Sequence, residues 1–284
     1  MTARIEVVVA GLGHMGGLHA RALGRRPDVR VRVVDPGRGH PGPVGRPDAA
    51  IVAVPAVRHA EVALPLLDAG VPCLVEKPLA PDPDAAEALA AWPDCMPGHV
   101  ERFNPVFCAL PGLRARFLVA ERIHAPTGRG ADVDVVLDVM IHDLDLALWL
   151  LGEEPDEIRA SGLAVRSACG VDIANARLET ASGGAAVLTA SRVSRRQVRA
   201  LRVFTLDAYV SMDLAAGRAD RVRWGAAGLE EEAVPVPAGD ALEREHDAFL
   251  AHVRQEAPFP VPAADAARAV RLARRVQAAI SPPR

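Results

Sequence analysis

The sequence predicts an α/β protein of two domains: a doubly wound parallel sheet first, then an α+β domain on a large, open, mostly antiparallel sheet. Three observations carry that expectation. Apolar β-branched runs alternate with helical periods over residues 5–100, the first run ends in a glycine-rich turn, and beyond Asn104-Pro105 period-two alternation takes over.

Ile5 to Ala10 is a β-branched run, His14 to Leu23 has helical spacing, and Val29 to Asp35 is a second strand. Ala49 to Val54 gives a third strand, Arg58 to Ala69 a helix closed by Gly70, and Val71 to Val75 a fourth strand. Asp84 to Ala91 is helical, and Met96 to Val100 is a short fifth strand. Strands joined by helices pair in parallel, with helices covering both faces of the sheet. Pro36 to Pro47 is a glycine- and proline-rich loop. Val136 to Leu151 reads as one strong helix. From Glu157 to about Val236, runs such as Val171 to Leu178 and Ala185 to Thr189 alternate as strands, punctuated by turns such as Ser182-Gly183-Gly184. The final helix, Ala263 to Ile280, directs Ala266, Ala269, Val270, Ala273, Val276 and Ile280 to a core and its arginines to water. The expected division is residues 1–101, joined by helix 263–280, as one domain and residues 102–262 as the other.

Composition removes several function classes. The 284 residues, 50% hydrophobic, can bury a substantial core, and a net charge of -3 creates no field to draw nucleic acid or an anionic membrane. No apolar run approaches the roughly 20 residues of a membrane span, and the N-terminus leads directly into strand sequence, so a cytoplasmic location is expected. Cys73, Cys95, Cys108 and Cys169 form no Cys-x-x-Cys pair. Neither a zinc knuckle nor a disulfide framework is expected, and all four read as small buried hydrophobes.

Gly11-Leu12-Gly13-His14-Met15-Gly16 satisfies G-x-G-x-x-G between the first strand and the first helix. Gly11 permits the tight turn, Gly13 lets the backbone approach a pyrophosphate, and Gly16 allows close packing of helix on strand. Asp35, 19 positions beyond Gly16, is placed to accept hydrogen bonds from an adenosine ribose. A carboxylate there repels a 2′-phosphate, so NAD is expected over NADP, with Arg38 close enough in sequence to keep NADP open. His59, four residues after Pro55, falls at the carboxyl edge of the sheet, where a cofactor contact and a structural role are both open.

Lys77, in Glu76-Lys77-Pro78, is the only lysine of a chain that otherwise uses arginine for positive charge. A lysine amine is a compact donor whose pKa responds to burial and neighbouring charge, unlike a guanidinium. In the helix from Val136, Asp138, His142 and Asp145 fall on one face of an otherwise apolar cylinder, the pattern of a helix lining a cleft. His142 can exchange a proton near neutral pH and Asp138 can orient it, whereas Asp145 is expected to be structural. Asp-x-x-x-His-x-x-Asp also reads as a metal site, but a lysine and a histidine suffice for an alcohol proton, so no metal is expected.

Together, Gly11-x-Gly13-x-x-Gly16, Pro55-x-x-x-His59, Glu76-Lys77-Pro78, Arg102-Phe103-Asn104-Pro105 and Asp138-x-x-x-His142 resemble the glucose-fructose oxidoreductase, inositol dehydrogenase and rhizopine-catabolism family (Gfo/Idh/MocA) in order along nearly the whole chain. The resemblance implies a Rossmann domain and a C-terminal domain whose open sheet forms a homodimer or homotetramer interface. It further implies that Lys77 is the catalytic lysine, His142 the general acid/base and Asp138 its partner carboxylate. Gly11, Gly13, His14, Met15, Gly16, Asp35, Pro55, His59 and Glu76 would then serve the cofactor. The implied reaction is hydride transfer between a sugar hydroxyl and nicotinamide. His99 to Pro105 and Ser191 to Arg196 resemble the branch of the family acting on nucleotide sugars, which implies substrate contacts by Arg102, Asn104, Arg192, Arg195 and Arg196, the arginines as bidentate donors to a diphosphate. The short Pro36 to Pro47 loop and Thr127 to Asp132 segment leave the sugar open. A free-sugar or inositol dehydrogenase and a non-catalytic binding regulator remain alternatives, and the retention of Lys77 and His142 favours an enzyme. The isomer of the Lys77-Pro78 bond is not legible in the sequence.

Overall fold

The computed structural model describes residues 4–126, 133–166, 170–225 and 228–280. In chain order its elements begin β1 Ile5–Ala10, α1 His14–Leu23, β2 Val29–Val34, β3 Ala49–Val52, α2 His59–Asp68, β4 Cys73–Glu76, α3 Pro83–Ala90 and β5 Cys95–Gly98. They continue with α4 Pro105–Cys108, β6 Phe117–Ile123, α5 Ile141–Leu151, β7 Glu157–Leu163, β8 Ile173–Glu179, β9 Ala185–Ser191, β10 Val198–Phe204, β11 Ala208–Asp213, β12 Arg218–Gly225, β13 Gly228–Ala233, α6 Ala241–Val253 and α7 Ala263–Ala279. The chain divides into two compact units, residues 1–100 with 240–270, and residues 101–239 with 271–284.

The first unit holds a five-stranded sheet in the order β2-β1-β3-β4-β5, parallel throughout. Its central strands are apolar without alternation because both faces are covered: Val7, Val8 and Val9 of β1 and all four residues of β3 are buried. β2 stops at Val34, and Asp35 opens a short turn ending at Gly39, whose φ of +80° suits glycine. α3 starts where Asp82 accepts a bond from the Ala85 amide. The expectation assigned residues 240–262 to the second domain. Instead α6 packs on this sheet, because Phe249 and Leu250 enter the core with Val7, Val9, Ile51, Leu74 and Met96, and His252 meets Asp94 at 3.0 Å. α7 divides at residue 270, its first part grouping with this unit and the remainder with the other.

The second unit is built on an eight-stranded sheet in the order β13-β12-β11-β10-β6-β9-β8-β7. All its pairs are antiparallel except β6 with β9. Strict alternation shows which face is covered: in β8, Ala174, Ala176 and Leu178 are buried while Ile173, Asn175 and Arg177 are exposed. α5 packs on β6 and β9 and supplies Leu144, Leu146, Leu148 and Leu150 to the core.

The helix expected as one piece from Val136 begins instead with a π-turn, Val136–Met140, before α5 proper. Asp134 caps it, its Oδ1 accepting from the Val136 and Leu137 amides. Cys73 and Cys95 are buried as expected, but Cys108 ends α4 exposed, since the four-residue helix turns Val106 and Phe107 inward. Cys169 and the Thr127 to Asp132 segment lie outside the described residues. Among the described residues, no helix is long and apolar enough to cross a membrane.

Candidate active site

In the first unit, the turn from β1 to α1 shows why each glycine is there. Gly11 has φ +93°, and a Cβ on it would lie 2.6 Å from the Ala53 carbonyl oxygen. A Cβ on Gly16 would lie 1.9 Å from the carbonyl oxygen of Gly11, so both positions are dictated by backbone packing. Around Gly13 a Cβ would meet nothing within 4 Å. That open room lies at the N-terminus of α1, whose cap, Gly13 itself, makes no side-chain bond to the first amides. Uncapped amides and the positive end of the helix favour an anion, and a glycine there lets it approach the backbone. His14 is exposed and Met15 half-buried on this first turn. Asp35 reaches the same turn, its Oδ2 accepting from the Leu12 amide at 2.6 Å, with Arg38 Nε 4.0 Å away. The uncapped amides, the room at Gly13 and the Asp35 carboxylate fit a dinucleotide's pyrophosphate and ribose.

Pro55 is exposed at the carboxyl side of β3, and beyond it the structure corrects two expected cofactor ligands. The His59 side chain is buried, with Nε2 3.0 Å from the Val54 carbonyl oxygen and Nδ1 3.0 Å from that of Pro78. Burial depresses its pKa against the pull of those carbonyls and of Glu76, so the ring ties α2 to the segment after β4 rather than reaching a ligand. The Glu76 side chain also turns inward: Oε1 meets His19 Nε2 at 2.7 Å and Oε2 accepts the Lys77 amide at 3.2 Å. Burial resists ionisation of Glu76, but the His19 bond and the Lys77 charge hold its pKa below the ordinary carboxylate value. Lys77 is the first residue beyond β4, half-buried, and its bond to Pro78 is cis.

Behind Glu76 the string continues, with His19 Nδ1 2.7 Å from His246 Nε2. Glu245 beside it is fully buried, and neither carboxylate oxygen has a hydrogen-bond partner among the described residues. Sequence reasoning missed His19, Glu245 and His246. Glu243-Arg244-Glu245-His246-Asp247 reads locally as a solvated helix face, and only the packing of Phe249 and Leu250 reveals that it is not.

In the second unit, the π-turn and α5 expose few positions. Between residues 135 and 150 only Asp138, His142 and Trp149 reach solvent, and all three lie to one side. The two groups proposed for proton transfer thus share the accessible side of an apolar element, next to the kind of local helix irregularity that often accompanies function. Asp145 is structural as expected: it takes Nε and Nη2 of Arg102 at 2.6 and 2.7 Å, and the same guanidinium lies 4.7 Å above the Trp149 ring.

That arrangement corrects Arg102 as a diphosphate donor, since the Nε–Nη2 edge of its fork is engaged in a buried pair and its face is stacked on Trp149. Asn104 is corrected likewise. It caps α4 through Val106 and donates to Glu101 Oε2 and the Leu214 carbonyl. Arg192 donates from Nε to Asp172 and from Nη1 to the Val133 carbonyl, and is buried. Arg195 and Arg196, by contrast, are exposed between β9 and β10. A further buried guanidinium, Arg122, binds Asp143 through Nε and Nη2 and Glu101 through Nη1 at 2.7 Å. Burial works against its charge, but the two carboxylates outweigh it and raise its pKa.

Comparison with known proteins follows the same division. Residues 40–93 match the model of an oxidoreductase family with an NAD-binding Rossmann fold, and residues 118–209 match the GFO/IDH/MocA C-terminal domain. The chain is 36% identical over 225 residues to a UDP-N-acetylglucosamine 3-dehydrogenase of Acidithiobacillus ferrooxidans, covering 74% of this chain and 72% of the relative. An inositol 2-dehydrogenase of Rubrobacter xylanophilus is 30% identical over 217 residues, covering 64% and 62%. The solved structure of the Acidithiobacillus enzyme superposes with a TM-score of 0.89 at 30% identity over 98% of each chain. A myo-inositol dehydrogenase of Corynebacterium glutamicum shares the fold at TM-score 0.78 and 21% identity, covering 98% of this chain and 96% of the other.

Proposed function

The chain belongs to the GFO/IDH/MocA oxidoreductase family, and from that premise we propose that it is a nucleotide-sugar dehydrogenase, with carbon 3 of UDP-N-acetylglucosamine as its first candidate substrate and NAD as its preferred cofactor. The observation that carries the substrate is graded similarity: identity to the UDP-N-acetylglucosamine 3-dehydrogenase is 36% over 74% of the chain, against 30% over 64% for the inositol enzyme. NAD is supported by Asp35, a carboxylate beside the glycine turn that would repel a 2′-phosphate.

Bound nicotinamide supplies the hydride acceptor or donor. On the protein side, Lys77 hydrogen-bonds the reacting hydroxyl and stabilises the alkoxide that develops on it, and His142 takes the proton. Asp138 orients the imidazole. Arg195 and Arg196, exposed where Arg102 and Arg192 are not, hold the diphosphate. The eight-stranded sheet, with exposed Phe204, Trp224 and Leu229, supports assembly as a dimer or tetramer, testable by sedimentation.

The decisive assay follows nicotinamide absorbance with UDP-N-acetylglucosamine, UDP-glucose, free N-acetylglucosamine and inositol, each with NAD and NADP. Turnover concentrated on the UDP sugars with NAD supports the reading. Turnover of inositol or free sugars with none of the UDP sugars would replace it.

A further inference from the structure

We propose that His246, His19 and Glu76 form a directed hydrogen-bond string that ends on the backbone of Lys77, with Glu245 beside it as a neutral acid, so that four buried side chains hold the segment that carries the chain's one lysine. The consequence for catalysis rests on the role proposed for Lys77, whereas the string itself does not.

The geometry allows little freedom. His19 comes from α1, Glu76 from the end of β4, and Glu245 and His246 from α6, and none of the four is more than 5% exposed. An ionised carboxylate only accepts, so His19 must donate from Nε2 to Glu76 across 2.7 Å. In a neutral ring that leaves Nδ1 as the acceptor, and His246 must then donate from Nε2 across 2.7 Å. A single pair of tautomers satisfies every contact without a charged imidazole. Burial, with the Arg26 charge adding to it, depresses His246 to about 3, in keeping with a neutral ring. At the other end, the Lys77 amide occupies Glu76 Oε2, so the residue carrying the amine is bonded directly to the string.

Glu245 supplies an independent observation. Both its oxygens are buried without a donor among the described residues, and burial together with the Glu76 charge raises its pKa well above the ordinary carboxylate value. Two adjacent carboxylates in an interior do not both ionise. One carries the charge, the one with donors, and the other keeps its proton. The described charged and titratable groups acting on the set are Lys77 after β4, His59 of α2 on Glu76, and Arg26 after α1 on His246. The net result is one buried negative charge bonded to the backbone of the residue that carries the amine.

The solitary lysine makes a direct test possible on the intact chain. Protein labelled with 13Cε-lysine gives one lysine resonance. Glu76→Gln should displace that resonance, because it removes the carboxylate bonded to the Lys77 amide. In 13C-glutamate-labelled protein, the carboxyl signal lost in Glu245→Gln should remain protonated at pH 6. Should Glu76→Gln fail to fold, 15N-histidine spectra of the wild type decide: His19 and His246 should both be neutral and protonated at Nε2. An unchanged Lys77 resonance in folded Glu76→Gln, an ionised Glu245 at pH 5, or an Nδ1-protonated His246 would each overturn the assignment. These readouts need no turnover, so absence of activity on every sugar would remove the proposed reaction while leaving the string to stand or fall alone.

Discussion

Both units bury polar groups, but they settle them in opposite ways. In the second unit each buried charge has its counterpart: Arg122 faces Glu101 and Asp143, Arg102 faces Asp145, and Arg192 faces Asp172. In the first, two histidines and two carboxylates share the interior with no arginine among them, and Glu245 has no donor among the described residues. Paired charges of this kind hold strands and helices in register and engage groups that would otherwise face a ligand. A set with unequal partners is costly to fold, and perturbed groups of that kind gather where chemistry is done. The single lysine sits beside the second kind. The contrast also explains why three of the residues expected to bind substrate do not present themselves for it: guanidinium and amide groups were taken to be available when carboxylates and carbonyls had already claimed them.

Removing one side of a matched pair gives the largest expected change. Arg122→Leu strands Glu101 and Asp143 in the interior and should cost about 3 to 5 kcal/mol in urea unfolding. A loss under about 1 kcal/mol would break the view that these pairs are structural. Lys77→Arg keeps the charge but replaces a compact amine with a long planar fork, and should lower kcat about 10³-fold, about 4 kcal/mol, with an unchanged unfolding midpoint. Near wild-type turnover there would erase the distinction between the two units. Gly13→Val enters space that is empty in the protein alone, so it should raise the Kd for NAD about 10²-fold, about 3 kcal/mol, without loss of stability. Unaltered affinity by calorimetry would move the pyrophosphate elsewhere.

The smallest effect is a pH dependence. Folded His246 titrates at about 3 while the unfolded residue titrates near 6.5, so its contribution is complete above that upper value and is lost as pH falls. Between pH 7.5 and 5 the stability difference between wild type and His246→Asn should move by about 2 kcal/mol in the variant's favour. Glu245 runs the other way: its raised pKa gives a contribution present below the ordinary carboxylate value and lost as pH rises, so Glu245→Gln should gain stability most at neutral and alkaline pH. A pH-independent difference in both variants would mean that neither group is perturbed by its surroundings.

Much of this was legible in the residues. β1 and α1 run from the same first to last residue as their periodicity indicates, and Gly11-x-Gly13-x-x-Gly16 lies between them. Local hydrogen-bond geometry sets those periods, so they are written into the local sequence. The π-turn at Val136–Met140 was not legible, because a slipped backbone bond leaves the apolar spacing almost unchanged. Nor was the place of α6, where Phe249 and Leu250 are two apolar residues in a strongly charged helix.

The order of elements, the glycine turn, Asp35 just beyond β2 and the isolated lysine followed from sequence alone, since each depends on near neighbours along the chain. Tertiary structure alone decided which charges are already paired. Arg102 meets a carboxylate 43 positions away and His19 an imidazole 227 positions away, and such partners are chosen by the need to satisfy polar groups once distant segments are buried together.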